Sequence, residues 1–131
     1  MTSLVSEVVL GPSGHGSLRA RNHSRDKRIA AFIIQLVALA TGVSAGEIAA
    51  TDRHCAEAAR ARQIAIYLAH TACAWPLARV AEAFGRDRTT CSYAVKRVEE
   101  LRDNAVFDGG LMRLESCIRA APVEGAGGAR R

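Results

Sequence analysis

The fold of this chain is decided by residues 80–94, Val-Ala-Glu-Ala-Phe-Gly-Arg-Asp-Arg-Thr-Thr-Cys-Ser-Tyr-Ala. The stretch predicts two short helices joined by a tight turn. Ala81 is small enough for a second helix to cross closely, and Gly85 can adopt the positive φ that ends the first helix. Cys91 can pack back against Ala81. This spacing is typical of a helix-turn-helix, whose second helix enters the major groove of double-stranded DNA.

Composition favours one all-α domain with flexible ends. The chain has 131 residues, of which 49% are hydrophobic and only 5% aromatic. Alanine, isoleucine, leucine and valine dominate the apolar set, which suits closely packed helices. Because few segments alternate apolar and polar residues, we predict no strands. The expected architecture is a compact bundle of about six helices that contains the helix-turn-helix.

Positive charge is concentrated near the amino terminus. The formal net charge is +5, which suits an anionic partner. Residues 15–28 carry five basic side chains, with Asp26 as the only acidic residue in that range. They are Arg19, Arg21, Arg25, Lys27 and Arg28. Residues 50–104 carry nine basic and seven acidic side chains, so the excess there is slight.

Cysteine usage and hydropathy predict a cytoplasmic protein, and the predicted DNA binding would make it nucleoid-associated. The four cysteines are scattered without a CxxC pair, and no signal peptide is recognisable. A reducing compartment follows from this usage. The apolar run 29–40 is too short for a bilayer span, which needs about 20 residues, so no membrane span is expected. Peripheral attachment of the first helix and the basic arm to an anionic membrane is a less favoured alternative.

The chain divides into three parts. Residues 1–26 are expected to form a flexible basic arm, residues 27–120 the folded domain, and residues 121–131 a disordered tail. Six helices are predicted, at about residues 27–41, 44–50, 56–74, 76–84, 88–104 and 110–120. Ser44 and Glu47 form a capping box at the start of the second helix. Asp108-Gly109-Gly110 is expected to break the chain before the last helix.

Residues 29–118 resemble the carboxy-terminal DNA-binding domain of the bacterial replication initiator DnaA. Residues 60–69 resemble the arginine-rich start of that family's long helix, and residues 80–85 resemble the first helix of its helix-turn-helix. Residues 86–90, Arg-Asp-Arg-Thr-Thr, resemble its signature, which is usually Arg-Asp-His-Thr-Thr. The resemblance implies a fold like that of DnaA domain IV and the Trp repressor, with double-stranded DNA as partner.

The departures from the family pattern are informative. Only Gly85 precedes the Arg-Asp pair, where the family usually has two glycines. Arg88 replaces the signature histidine, which contacts bases in the family. The family's minor-groove arginine aligns with His54, with Arg53 adjacent. No Gly-x-x-x-x-Gly-Lys-Ser/Thr occurs in the sequence, so we expect no ATPase. No catalytic triad or paired-carboxylate site stands out either, so we expect no enzyme and no cofactor.

Five residues are candidates for contacts with base edges. They are Asp87, Arg88, Thr89, Ser92 and Tyr93. Arg88 can donate two hydrogen bonds to guanine O6 and N7. Its alternative roles are a phosphate contact and an ion pair with Glu82. Asp87 is expected to cap the helix, and the resemblance implies a second role as acceptor for a cytosine amine. Tyr93 could instead be a partly buried structural residue.

A second set of residues is expected to contact the DNA backbone. It comprises Arg60, Arg62, Gln63, Arg86, Thr90, Lys96 and Arg97. Donors at the start of a helix suit phosphate oxygens. Arg53 and His54 are the minor-groove candidates implied by the resemblance. The basic arm could track the backbone or enter the minor groove, or it could be a solubilising segment.

His70 and Cys73 are candidates for a metal site. Their spacing could hold a metal, but further ligands with suitable spacing are missing, so no metal site is predicted.

A regulator of transcription or of the cell cycle is the favoured function. The alternatives are a competitor of DnaA at initiator boxes in replication origins, and an adaptor that binds other proteins. A homodimer and other regulatory proteins are further candidate partners.

Overall fold

The computed structural model describes residues 11–50 and 55–121, with side chains from Arg19 onward. Six helices follow one another, and the described residues form no strand, which confirms the predicted all-α bundle. They are α1 (Gly11–Thr41), α2 (Ala45–Ala49), α3 (Ala56–Thr71), α4 (Leu77–Phe84), α5 (Arg88–Leu101) and α6 (Ala105–Ala120). None of the helices in the described ranges is long and apolar enough to cross a bilayer.

Helix α3 forms the centre of the bundle. Its residues from Ile64 to Ala69 are all buried, and it packs against each of the other helices. The alanines at positions 61, 65 and 69 are completely buried, and their small side chains allow neighbouring helices to approach closely. Trp75, which is 1% exposed, is the largest side chain of the core. The remaining helices therefore surround one apolar core centred on α3.

The junction of α1 and α2 follows the sequence prediction. Gly42 has a φ of +81°, a conformation that ends α1 and that other residues rarely adopt. Ser44 is the N-cap of α2, and its hydroxyl accepts a hydrogen bond from the Glu47 N–H at 3.2 Å. The predicted N-cap is thus confirmed.

Helix α1 begins earlier than its sequence predicts. The expected start is about Lys27, but α1 starts at Gly11, so residues 11–26 are helical. Asp26 accepts two hydrogen bonds from Arg79 of α4, at 2.9 Å each. Hydrogen bonding to Asp26 raises the pKa of Arg79 above its ordinary value. This paired carboxylate ties α1 to α4 ahead of the predicted start, a contact that local sequence does not reveal.

Helix α6 also begins earlier than predicted. The segment Asp108-Gly109-Gly110 is the expected chain break, but it lies inside α6. Asn104 is the N-cap, and its side chain accepts from the Phe107 N–H at 3.0 Å. Asp108 in the first turn suits the positive end of the helix dipole, and it also pairs with Arg102. A cap and an ion pair outweigh the weak helix propensity of two glycines.

The turn between α4 and α5 has the predicted geometry. Gly85 lies in the left-handed region with a φ of +65°, and the Arg86 N–H donates to the Ala81 carbonyl at 2.9 Å. This bond from residue i to residue i−5 is typical of a Schellman motif. Ala81 and Cys91 are both buried in the core shared by the two helices. The helix-turn-helix predicted from residues 80–94 is therefore present.

We predict that Gly85→Ala destabilises the protein by about 1–2 kcal/mol, the cost of an L-residue in the left-handed region. A Cβ at this position would meet nothing within 4 Å, so the loss would come from backbone strain alone. The matched control is Gly46→Ala, which has an ordinary helical φ and equally open surroundings. It should stabilise by up to about 1 kcal/mol. Urea unfolding measures both, and equal effects of the two changes would contradict the prediction.

Candidate nucleic-acid interface

Helix α5 has one buried face and one exposed face. Cys91, Ala94 and Val98 pack into the core. Its first turn, Arg88-Thr89-Thr90, is exposed. One turn further along, Tyr93 is 60% exposed. The start of α5 thus presents a guanidinium, two hydroxyls and a phenol to the surroundings, as the sequence analysis expects for a DNA-contacting helix.

Asp87 occupies the N-cap position of α5 without capping it through its side chain. Its backbone is extended, with φ −70° and ψ 151°, and its carbonyl accepts the first hydrogen bond of the helix, from the Cys91 N–H at 3.0 Å. No side-chain capping bond is present, so the predicted carboxylate cap is wrong, while the position is right. The carboxylate is exposed, and its acceptors stay available for an external donor such as a base amine.

A groove separates the start of α3 from the α4–α5 turn and the start of α5. Its volume is about 740 Å³. Its polar lining brings together residues that are far apart in sequence. They are Arg62, Gln63, Arg86, Asp87, Thr89, Thr90 and Tyr93. The structure therefore places most of the predicted base and backbone contacts around one concave surface.

The polar residues near the start of α3 differ in exposure. Arg60 is exposed and Gln63 is half-buried, so both can reach an external phosphate. Arg62 is only 9% exposed, and its Nε donates to the Ile48 carbonyl at 2.7 Å. Its guanidinium thus binds the end of α2, a structural role that differs from the phosphate contact predicted for it.

Arg86 also has partners within the protein. One of its terminal nitrogens donates to the carbonyls of Ala49 at 3.2 Å and Ala50 at 2.5 Å. The side chain is half-buried between α2 and the turn. The sequence predicts a phosphate contact, but the structure gives Arg86 carbonyl partners across 36 residues of sequence. No spacing in the sequence could have revealed this contact.

The remaining predicted contacts lie further along α5. Lys96 is exposed, whereas Ser92 is half-buried. Arg97 is half-buried and pairs with Glu100 at 3.3 Å on the same helix. An exposed pair of this kind is weak enough to yield to a phosphate. These assignments stay predictions, as do those for Arg53 and His54, which lie outside the described residues.

His70 and Cys91 have structural roles in the fold. His70 Nδ1 donates to the Trp75 carbonyl at 2.9 Å, which holds the loop before α4. Within the described ranges, no three His, Cys, Asp or Glu side chains are grouped as metal ligands would be. Burial raises the pKa of the Cys91 thiol, so it stays protonated at neutral pH and acts as a packing residue.

Comparisons with known proteins agree with this geometry. A family model described as the bacterial DnaA protein helix-turn-helix matches residues 30–98, which include the groove and most of α5. The chromosomal replication initiator protein DnaA of Rickettsia canadensis is 44% identical over 57 residues, covering 43% of this chain and 12% of that protein. DnaA of Pseudothermotoga lettingae is 37% identical over 79 residues, covering 59% and 18%.

Solved structures show the same similarity. The crystal structure of a DNA replication initiation factor matches with a TM-score of 0.65 and 30% identity, over 74% of this chain and 30% of that one. A replication initiator DnaA bound to AMPPCP and single-stranded DNA matches with a TM-score of 0.63 at the same identity and coverage. The chain thus spans under a third of these proteins. Since the family model covers more than half of it, the chain belongs to the family of bacterial DnaA helix-turn-helix domains.

Proposed function

We propose that this protein recognises a specific site in double-stranded DNA by placing the start of α5 in the major groove, and that it acts there as a transcriptional or cell-cycle regulator. One observation carries the proposal. The first turn of α5 is exposed, while the opposite face of the same helix is locked into the core. A rigid helix with exposed donors at its amino-terminal end suits contacts with base edges.

Base recognition is assigned to the exposed start of α5. Arg88 would donate two hydrogen bonds to a guanine, and Asp87 would accept one from a cytosine amine. Thr89 and Tyr93 offer a methyl group and a ring for contact with a thymine methyl. Since Ser92 is half-buried, it would contact only a base edge that lies close to the surface of α5.

Phosphate contacts are assigned to residues of α3 and α5. On α3 these are Arg60 and Gln63, and on α5 they are Thr90, Lys96 and Arg97. Neutralising phosphates supplies most of the affinity for any DNA sequence and makes binding depend on salt. Arg53 and His54 would lie against the minor groove, as the family resemblance implies.

Duplex DNA is proposed on the geometry of this chain rather than taken over from the relatives. The relatives are replication initiators, and one of the solved structures holds single-stranded DNA. This chain covers only 30% of that protein, so the strand bound there does not decide which nucleic acid this domain binds. The exposed start of α5 favours duplex DNA, because the major groove of the duplex is about 12 Å wide and admits one α-helix.

The test is a selection from a random duplex library followed by fluorescence anisotropy. The selected duplex, a scrambled duplex of equal composition and the single strand of the selected site are compared at equal salt. We expect the selected duplex to bind about 10³-fold more tightly than the scrambled one. Equal affinity for both duplexes, or tighter binding of the single strand, would refute the proposal.

Mapping of bound sites across the genome then separates the regulatory roles. Occupancy at promoters supports transcriptional regulation. Footprinting of an origin fragment with both proteins tests competition with DnaA. Mutual displacement there would shift the role to control of replication.

A further inference from the structure

The carboxyl end of α2 is held by two arginines from other parts of the chain. Arg62 of α3 donates to the carbonyls of Glu47 at 3.0 Å and Ile48 at 2.7 Å. Arg86 donates to the next two carbonyls in sequence. Four consecutive carbonyl oxygens at this helix end thus accept charge-assisted hydrogen bonds from outside the helix.

Arg86 links the end of α2 to the start of α5. Arg86 directly precedes Asp87 and the exposed first turn of α5. Its backbone N–H is fixed by the Ala81 carbonyl and its side chain by the end of α2. Since Asp87 makes no side-chain cap, the start of α5 is held from outside the helix rather than by its own N-cap.

We propose that Arg86 is a positioning residue for DNA recognition, a tether that orients the first turn of α5 by binding the carboxyl end of α2. The proposal rests on the function proposed above. It makes Arg86 a determinant of specificity that acts through Arg88 and Thr89. One terminal nitrogen of its guanidinium donates to the carbonyls of Ala49 and Ala50.

The tether and a phosphate contact differ in their response to salt and to sequence. A phosphate contact contributes about 0.9 to the slope of log affinity against log salt, and its loss weakens binding to all duplexes alike. A tether contributes little to the slope. Its loss weakens binding to the selected duplex and spares the scrambled one, because only base contacts need the helix start to be held in place.

Two variants separate the two roles. Arg86→Met removes the charge and the donors but keeps an apolar stem. Arg86→Lys keeps the charge on a shorter side chain without the planar fork. The matched control is Arg113→Met, which removes one positive charge from the exposed surface of α6, outside the groove.

We expect both Arg86 variants to lower the ratio of selected to scrambled binding by about fivefold or more, an effect typical of a coupled contact. The salt slope of Arg86→Met should match that of Arg113→Met. A slope lower by about 0.9, with equal losses on both duplexes, would identify a phosphate contact and overturn the proposal. An Arg86→Lys protein with unchanged affinity and ratio would overturn it as well.

Hydrogen exchange in the free protein gives a readout that needs no DNA. The Cys91 N–H, which donates the first hydrogen bond of α5 to the Asp87 carbonyl, should exchange several-fold faster in Arg86→Met. Amides in the middle of α3 should exchange at the wild-type rate, which shows that the variant is folded. Unchanged exchange at Cys91 would contradict the tether even if wild-type binding proved to be non-specific, so the two proposals can fail separately.

Discussion

Arg88→Ala should weaken binding to the selected duplex about 5- to 150-fold, because a bidentate arginine–guanine contact contributes roughly 1–3 kcal/mol of discrimination. Arg88 is exposed at the first position of α5, and within the described residues no ion pair occupies its guanidinium. The alternative of a pair with Glu82 is therefore not favoured by the structure. Affinity for a scrambled duplex should fall far less.

The selectivity of the loss decides the role of Arg88. If it contacts a guanine, the preference should relax at one base pair of the site and stay intact at the others. Arg88→Lys should recover only part of the discrimination, since lysine lacks the planar fork of donors. Lys96→Ala provides the comparison for a backbone contact, with equal losses on all duplexes. The same uniform loss for Arg88→Ala would assign it to phosphate.

Gly85 shows why the helix-turn-helix could be predicted from sequence. Glycine adopts a φ of +65° with less strain than residues that carry a Cβ, so a glycine four residues after a small helical residue predicts the turn. The buried spacing of Cys91, Ala94 and Val98 then fixes which face of α5 remains outside. Both signals are local, and both concern backbone geometry or burial. The exposed candidates Arg88 and Thr89 follow from them without knowledge of the tertiary contacts.

The partners of Arg62 and Arg86 could not be predicted from the sequence. A basic residue near a helix start suits a phosphate and a free carbonyl equally well, since both are oxygen acceptors. The choice depends on whether a carbonyl lies within reach, and here the partners are 14 and 36 residues away in sequence. The earlier start of α6 has a similar cause, since the ion pair between Asp108 and Arg102 stabilises a first turn that is followed by two glycines. For α1, the ion pair between Asp26 and Arg79 stabilises only the turn just before Lys27.

Arg102→Ala should destabilise the fold by about 2–4 kcal/mol, the range for removing one partner of a largely buried pair. Arg102 lies at the end of α5 and donates to Tyr67 Oη at 2.9 Å, to Asp108 and to Glu115 at 3.4 Å. Hydrogen bonding to Asp108 raises the pKa of Arg102, so the guanidinium stays charged at every accessible pH. Glu115 is 7% exposed, and without Arg102 its carboxylate would lose its cation inside the protein.

Two further variants isolate the cause of that loss. Arg97→Ala removes another arginine from α5, whose partner Glu100 is exposed, and should change the stability by less than about 0.5 kcal/mol. Glu115→Gln added to Arg102→Ala removes the stranded charge and keeps an acceptor for the Thr71 hydroxyl, which now donates to Glu115 at 2.9 Å. The double variant should therefore be more stable than Arg102→Ala in urea unfolding. If it is less stable, the cost of losing Arg102 does not arise from Glu115, and the ties to Tyr67 and Asp108 carry the stabilisation instead.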